Sequence, residues 1–418
     1  MDNLLHYVWQ YKSVAALSLQ TTNQLPIEVV SPGVRNTSNG PDFLNAKIKI
    51  GETHWVGHVL ILSSDEQDLK KQLSSDCNSV ILCVSEHPNQ PLLDALGQVI
   101  PQLLLTVPNE LRHKYEALLS TDLRPPCYTF LSQLDDLSVH FWLSSLLVER
   151  LEEKAERILM LYESKQYHWA DILFVTLARN FGFGTSGETF EQWAQSLPYR
   201  ALDKHRDSIV QLEALFFGCA GFLDQDQDDE YHILLKKEFG FLSNKFDLHL
   251  ECYPWVCNKI RPGHYPNIRI AQLAWFYFNS KQSVSSLLEL DRLGACYAFL
   301  YMQTSAYWDT HYSFGEISPE RKKQLGKKAM DLLIINTIVP FLYAYGMHKG
   351  DNDLQQKALD LLSQLKSENN YITRLWQQAG VSIQSAADSQ GIIQLHKVYC
   401  EQKRCLACRF GYAYLSGK

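Results

Sequence analysis

The chain is poor in the residues that mark several protein classes. Its 418 residues include 21 glycines and 15 prolines, too few for a fibrous or low-complexity protein. Ten cysteines are too sparse for a secreted disulfide scaffold, and Cys83, Cys219 and Cys296 lie in apolar runs where a free thiol packs as a small hydrophobe. The opening MDNLLHYVWQYK carries Asp2 and no basic stretch ahead of its apolar residues, so it does not read as a secretory leader. Long apolar runs are also missing. The best, at 329–347, is interrupted by Asp331, Asn336 and Pro340, which predicts a buried helix bent or ended near the proline and no membrane span. Basic residues number 39 against 46 acidic, a net charge of −7, so a nucleic-acid contact would have to be local. A reduced, cytoplasmic protein is expected.

What is present suits a packed interior. Hydrophobic residues make up 46% and aromatic residues 12% of the chain, which excludes disorder as the dominant state. The length allows two or three domains. Early on, the hydrophobic period changes often. Leu4, Leu5, Val8, Tyr11 and Val14 repeat at helical spacing over about 2–18. Strand-like runs follow at 25–30, 43–50 and 54–62; a loop rich in Gly, Pro, Asn and Ser joins the first two, and Gly51-Glu52 turns a hairpin. A polar helix is expected at 65–73, then buried strands at 78–86 and 98–107.

From Pro108 the signal is helical. An Asp-capped amphipathic helix is predicted at 134–163, with further helices at 109–120, 169–181, 188–196, 204–220, 230–240, 267–279, 282–290, 318–345, 351–366 and 370–378. No fixed-period repeat is visible. The expected fold class is α+β: a small α/β domain (1–107), a linker helix ending at Pro125-Pro126 (108–126), a large irregular all-α domain (127–395) and a Cys-rich basic segment (396–418).

Several long stretches carry a family resemblance. ARNFGFGTSGETFEQWAQSLP (178–198), KHRDSIVQLEALFFGCAGFL (204–223), KIRPGHYPNIRIAQLA (259–274), INTIVPFLYAYG (335–346) and YCEQKRCLACRFG (399–411) combine with NTSNGPDFLNAKIKIG (36–51). Together they resemble the uncharacterised bacterial family called domain of unknown function 2851. That resemblance implies a bacterial, cytoplasmic protein and brings no activity with it.

The α-β-β-β-α-β order also resembles the PD-(D/E)XK nuclease-like core. The resemblance implies a divalent ion held by an Asp at the second strand, here Asp42 after Pro41, and by a Glu on the third, with a Lys two positions on to stabilise charge at phosphorus. The family pattern on the third strand is Val-Glu-Ile-His, with histidines after it and a Leu-His-Val on the fourth. This chain has Leu60, Leu62 and Cys83 instead, and leucine cannot ligate a hard cation. A decayed site is expected. A magnesium site rebuilt around Asp42 with Glu28, Glu52 or Asp65 is the enzyme alternative. Read without the resemblance, Asp42 is a turn residue at the strand entrance, with Asn36 and Asn39 bonding the loop.

The C-terminal end holds His396, Cys400, Cys405 and Cys408 within thirteen residues. Cys-x2-Cys is the spacing by which two thiolates reach one tetrahedral ion, so a Cys3His zinc set is one reading. An iron–sulfur cluster completed by Cys252 or Cys257 is a second, and thiols packed in a helical core a third. Lys397, Lys403, Arg404, Arg409 and Lys418 against Glu401 give this end a local excess of +4. With Tyr399, Phe410, Tyr412 and Tyr414, such charge fits either a nucleic-acid contact or a solvated terminus.

Arg261 and Arg269 flank a loop-to-helix entry at Pro266-Asn267, where free amides form an anion site; internal ion pairing of both arginines is the competing account. Asn180-Phe181-Gly182-Phe183-Gly184 reads as a helix end with left-handed glycines. Lys204-His205-Arg206-Asp207 reads as a charged helix start, and 224–230 as a solvated acidic loop. Function is therefore expected to be non-catalytic, through a nucleic-acid or protein partner, with an active nuclease and a pure interaction scaffold as alternatives.

Overall fold

The structure, a computed structural model, describes residues 2–11, 19–36, 40–62, 79–88, 90–94, 97–120, 126–165, 168–183, 186–248, 253–256, 261–278 and 283–417. It is α+β, as the period change predicts. The chain forms two compact units. The first comprises Met1–Ser138, Leu375–Val381 and Leu395–Lys418, and the second Val139–Arg374 and Ser382–Gln394. Neither unit is continuous in sequence, because the Cys-rich end returns to the unit that holds the sheet.

In the sheet unit, helix α1 (Asp2–Gln10) precedes seven strands among the described residues: β1 (Leu19–Gln20), β2 (Pro26–Ser31), β3 (Val34–Arg35), β4 (Phe43–Ile50), β5 (Thr53–Leu62), β6 (Val80–Ser85) and β7 (Gln102–Leu104). The spatial order is β1-β2-β4-β5-β6-β7, with β3 also paired to β4. Pairing is antiparallel as far as β5 and parallel from β5 through β7. The three early strands and the hairpin lie where alternation places them. β1 and β3 are two-residue strands inside segments whose composition reads as loop, too short to show a period. The helix expected at 65–73 lies outside the described residues, as does the end of the one expected over 2–18.

Gly57 marks the closest approach in the sheet: a Cβ there would lie 2.4 Å from Ile81 Cγ2 and 2.6 Å from the Ser79 carbonyl. Only glycine lets β5 bend onto β6 at that point. One face of α1 buries Leu4, Leu5, Val8 and Trp9, the amphipathic stripe its spacing predicts.

The helical unit is built around a fully buried aromatic core in which Trp193, Phe174 and Phe216 meet edge to face or tilted, and Phe217 stacks on Trp308 at 5.0 Å. The helix expected at 204–220 is two elements, Tyr199–Lys204 and Ile209–Cys219. Ser208 caps the second by accepting from Gln211 N, so Lys204 to Asp207 ends one helix and turns into the next.

The apolar helix continues through its proline. It begins at Lys327, takes a π turn at Ile334–Ile338 and runs on to Lys349. Pro340 has no N–H to give to the carbonyl four residues back, that of Asn336, and Asn180 Nδ2 donates to that carbonyl at 2.7 Å instead. Asn336 Oδ1 accepts from Lys154 Nζ at 3.0 Å, which also donates to Gln390 at 2.8 Å. Lys327–Lys349 is long and apolar enough to cross a membrane. Leu333, Ile334, Ile338, Val339 and Phe341 are nonetheless buried in the unit's core, so its composition reflects packing.

Candidate functional sites

Asp42 stands at the entrance of β4, where the sequence places it. Its Oδ1 accepts from His6 Nε2 at 2.9 Å, and its Oδ2 accepts from the backbone N–H of Ile61 at 2.7 Å. The carboxylate thus fastens α1 to β5. Beside it, a bulge at Leu44-Asn45, with Asn45 at φ +55°, shifts the β4–β5 register. Leu60 and Leu62 are 1% and 3% exposed and pack with Val80, Cys83, Leu92 and Ile100. Burial, with Asp42 adding to it, pushes the Cys83 thiol up to about 12.

Glu28 does not join Asp42. It is exposed on β2 and in register with Lys49, seven positions along β4, or roughly 23 Å at strand rise. Glu52 is exposed at the hairpin tip and 3.5 Å from Lys49. Asn36 Nδ2 donates to the Pro41 carbonyl, as the turn reading expects. Asp65 and Asn39 lie outside the described residues. Among those described, no group of three or more His, Cys, Asp or Glu that could hold a metal ion includes Asp42.

The C-terminal thiols gather around a partner the spacing could not name. Cys405 and Cys408 bracket a 3-10 turn, Cys405–Ala407, closed by Cys408 N donating to the Cys405 carbonyl at 3.2 Å. Gly411 permits it: a Cβ there would meet that carbonyl at 2.1 Å. Cys400 ends the π segment Leu395–Cys400, which packs on this turn, and the turn Pro126–Thr129, carrying Cys127, packs on the following helix Arg409–Ser416. Burial raises the thiols of Cys127 and Cys400 far above their ordinary range, and each is raised further by Cys408 and Cys405.

His396 is directed elsewhere, its Nε2 lying 3.5 Å from Glu401 Oε1. Burial lowers its pKa, against the pull of Glu401. Among the described residues no group of three or more His, Cys, Asp or Glu is arranged to hold a metal ion. Cys252 and Cys257, which the iron–sulfur reading would add, lie outside the described residues. The aromatics of this end are engaged with neighbours: Tyr399 and Phe410 are buried, and the half-buried Tyr412 and Tyr414 pack on Tyr7 and Tyr11 and on Phe130.

Arg269 and Arg261 do come together. The helix Pro266–Phe278 starts where the sequence predicts, after a short turn Pro262–His264. Both arginines line a cavity of about 310 Å³ with Phe181, Gly182, Phe183, Ser186, Phe190, His264 and Pro266. Arg269 is 5% exposed and its guanidinium lies 4.6 Å from the Phe183 ring centre. Neither arginine has a carboxylate partner among the described residues, contrary to the ion-pair account. The preceding helix ends at Phe181, with Gly182 still right-handed and Phe183 at φ +41°; a phenylalanine is thus left-handed here, and Gly184 lies outside the described residues. In the acidic loop, Asp229 caps the helix Glu230–Phe246 and Asp226 pairs with Lys236 at 2.9 Å.

A family model described as "Protein of unknown function (DUF2851)" matches residues 2–371. No curated protein and no solved structure matches the chain.

Proposed function

This chain belongs to that family of unknown function, and on that premise we propose that it acts by binding nucleic acid and not by cleaving it, on a nuclease-like sheet whose catalytic site has decayed. The observation that carries this reading is the state of Asp42. Both its oxygens are engaged in holding α1 and β5 together, and the positions where the nuclease pattern has acid and histidine are core leucines. A hard divalent cation needs several oxygen ligands, and the donors Glu28 and Glu52 stand on a remote stretch of the sheet.

Binding through the basic C-terminal end would rest on Lys397, Lys403, Arg404 and Arg409, because the neighbouring aromatics are packed internally. Such contact reads phosphates and not bases. It is then indifferent to sequence and steeply dependent on salt, with a log–log slope of about −3 to −4 for about four phosphates. Fluorescence anisotropy with labelled single- and double-stranded DNA across a salt series, run beside a cleavage assay in magnesium and manganese, tests both halves. Cleavage abolished by Asp42→Ala would overturn the decayed-site reading, and absence of salt-dependent binding would overturn the nucleic-acid reading.

A protein partner is the second reading. Ile233, Leu234 and Phe241 are 55%, 42% and 61% exposed on the helix Glu230–Phe246, and 234 and 241 recur at i and i+7 along one face, with Lys237 between them. Apolar side chains left in water beside a cation suit a protein surface.

A further inference from the structure

We infer that the cavity between the helix end at Phe181–Phe183 and the N-terminus of the helix Pro266–Phe278 is a binding site for a phosphomonoester, with Arg269 as its anchor and Arg261 at its mouth. The site belongs to the helical unit and stands independently of the nucleic-acid reading.

The starting point is a buried cation with no counter-ion among the described residues. Arg269 is 5% exposed, and burying an unpaired charge is costly enough that proteins normally supply a carboxylate. Here the neighbours are neutral. Nη1 donates to Gln272 Oε1 at 2.9 Å and Nη2 to His264 Nδ1 at 3.4 Å. Nε is buried and has no partner. Gln272 is itself fixed, its Nε2 donating to the Lys323 carbonyl at 3.1 Å, so its oxygen is turned toward the guanidinium. The two rings below, Phe181 and Phe183, are 5.8 and 4.6 Å from the guanidinium carbon and hold the fork in place.

Three further features converge on the same space. Arg261 is exposed at the rim and pairs with no acid among the described residues. The helix beginning at Pro266 is 13 residues long, so its first-turn amides and dipole favour an anion there. Burial and both arginines lower the pKa of His264, which leaves its ring neutral and able to accept from Arg269. Burial lowers the pKa of Arg269 from 12.5 to about 10, which still leaves it charged at neutral pH.

Two arginines, a helix N-terminus and no acid match a dianion better than a carboxylate, and the planar guanidinium fork matches phosphate oxygens. At about 310 Å³ the space lies at the small end of ligand pockets. It suits a terminal phosphate with a small organic group against the Phe181 and Phe190 wall, and not a strand passing through.

The full chain would be titrated by calorimetry with inorganic phosphate, glycerol phosphate and phenyl phosphate, with acetate as the monoanion control, and its melting midpoint recorded at each concentration. The expected result is saturable binding of the phosphates, at least tenfold tighter than acetate, with a rising midpoint. The organic esters outrank inorganic phosphate if the apolar wall contributes; equal affinity would assign the site to phosphate itself. Arg269→Gln abolishes binding, and Arg269→Lys weakens it at least tenfold. Gln272→Glu puts a carboxylate where the 2.9 Å partner stands, and is expected to block binding in a chain that melts no lower than the parent. Phosphate binding retained in Arg269→Gln, or a parent chain whose midpoint millimolar phosphate does not move, overturns the inference.

Discussion

Asn180 Nδ2 lies 2.7 Å from the carbonyl oxygen of Asn336 and 3.0 Å from Thr337 Oγ1, and so supplies a donor at the point where Pro340 has none. This hydrogen bond joins the helix ending at Phe181 to the π turn of the apolar helix across 156 residues. It explains how a helix with a proline in its interior continues to Lys349.

Replacing Asn180 by Ala leaves the Asn336 carbonyl without this donor and is expected to cost about 1–3 kcal/mol. Pro340→Ala restores an N–H to the turn. The two changes should therefore couple: Asn180→Ala costs less in the Pro340→Ala background. Urea unfolding of the four proteins gives the coupling energy, and strict additivity would show that Asn180 does not serve the proline.

Asp42 is expected to behave as a fastening and not as a ligand. Asp42→Ala should lower stability by about 1–3 kcal/mol through loss of its two hydrogen bonds. Leu60→Glu, which puts an acid at the position where the proposed nuclease resemblance would have one, should destabilise the sheet unit by about 3 kcal/mol or more because the position is sealed core, and should create no magnesium-dependent cleavage. A stable, magnesium-dependent Leu60→Glu protein would mean that the decay is one substitution deep.

Glu213 sets a pH dependence. It is fully buried, accepts from Tyr231 Oη at 2.8 Å and Trp308 Nε1 at 3.1 Å, and burial pushes its carboxyl up to about 7 from 4.5. A pKa raised on folding means that the folded chain holds a proton the unfolded chain has released. The stability from this group is full below about pH 4.5 and is lost as pH rises through 7. Glu213→Gln removes the charging cost and should be more stable than the parent by up to about 3 kcal/mol at pH 8, with the difference vanishing near pH 4. Denaturation midpoints of both proteins across that range decide it.

At the thiol end, any zinc that the purified chain carries is expected to depend on Cys127, Cys400, Cys405 and Cys408. Elemental analysis should then find it lost in Cys127→Ser and Cys405→Ser but kept in His396→Gln. The opposite pattern would restore the His396 set. Gly411→Ala, whose Cβ meets the Cys405 carbonyl at 2.1 Å, should disorder this end and destabilise the unit by about 1–3 kcal/mol.

Much of the frame was legible locally. The 43–50 and 54–62 strands alternate or run apolar over eight or more residues, enough to declare themselves, and the helices at 109–120 and 169–181 have strong periods and clear ends. The two-residue strands and the split at Ser208 carried no such signal. The anion site was half legible: Arg261, Arg269 and the Pro266 helix start are close in sequence, whereas the Phe181–Ser186 wall comes from far upstream. The spacing grouped His396 with Cys400, Cys405 and Cys408 because the four are near in sequence. Cys127 is 273 positions from Cys400, and no spacing rule reaches that far.

By itself, the sequence determined the α+β class, the position of Asp42 at a strand entrance, and the apolar character of Leu60 and Leu62 on the strand that follows, because period and side-chain chemistry are local properties. Tertiary structure alone decided that His6 and the Ile61 amide occupy Asp42, that Cys127 joins the C-terminal thiols, and that Arg269 is buried with no acid among the described residues to meet it. Each of those depends on what long-range packing brings beside a group and how far it removes water, and burial is what turns an ordinary arginine into an anchor for an anion.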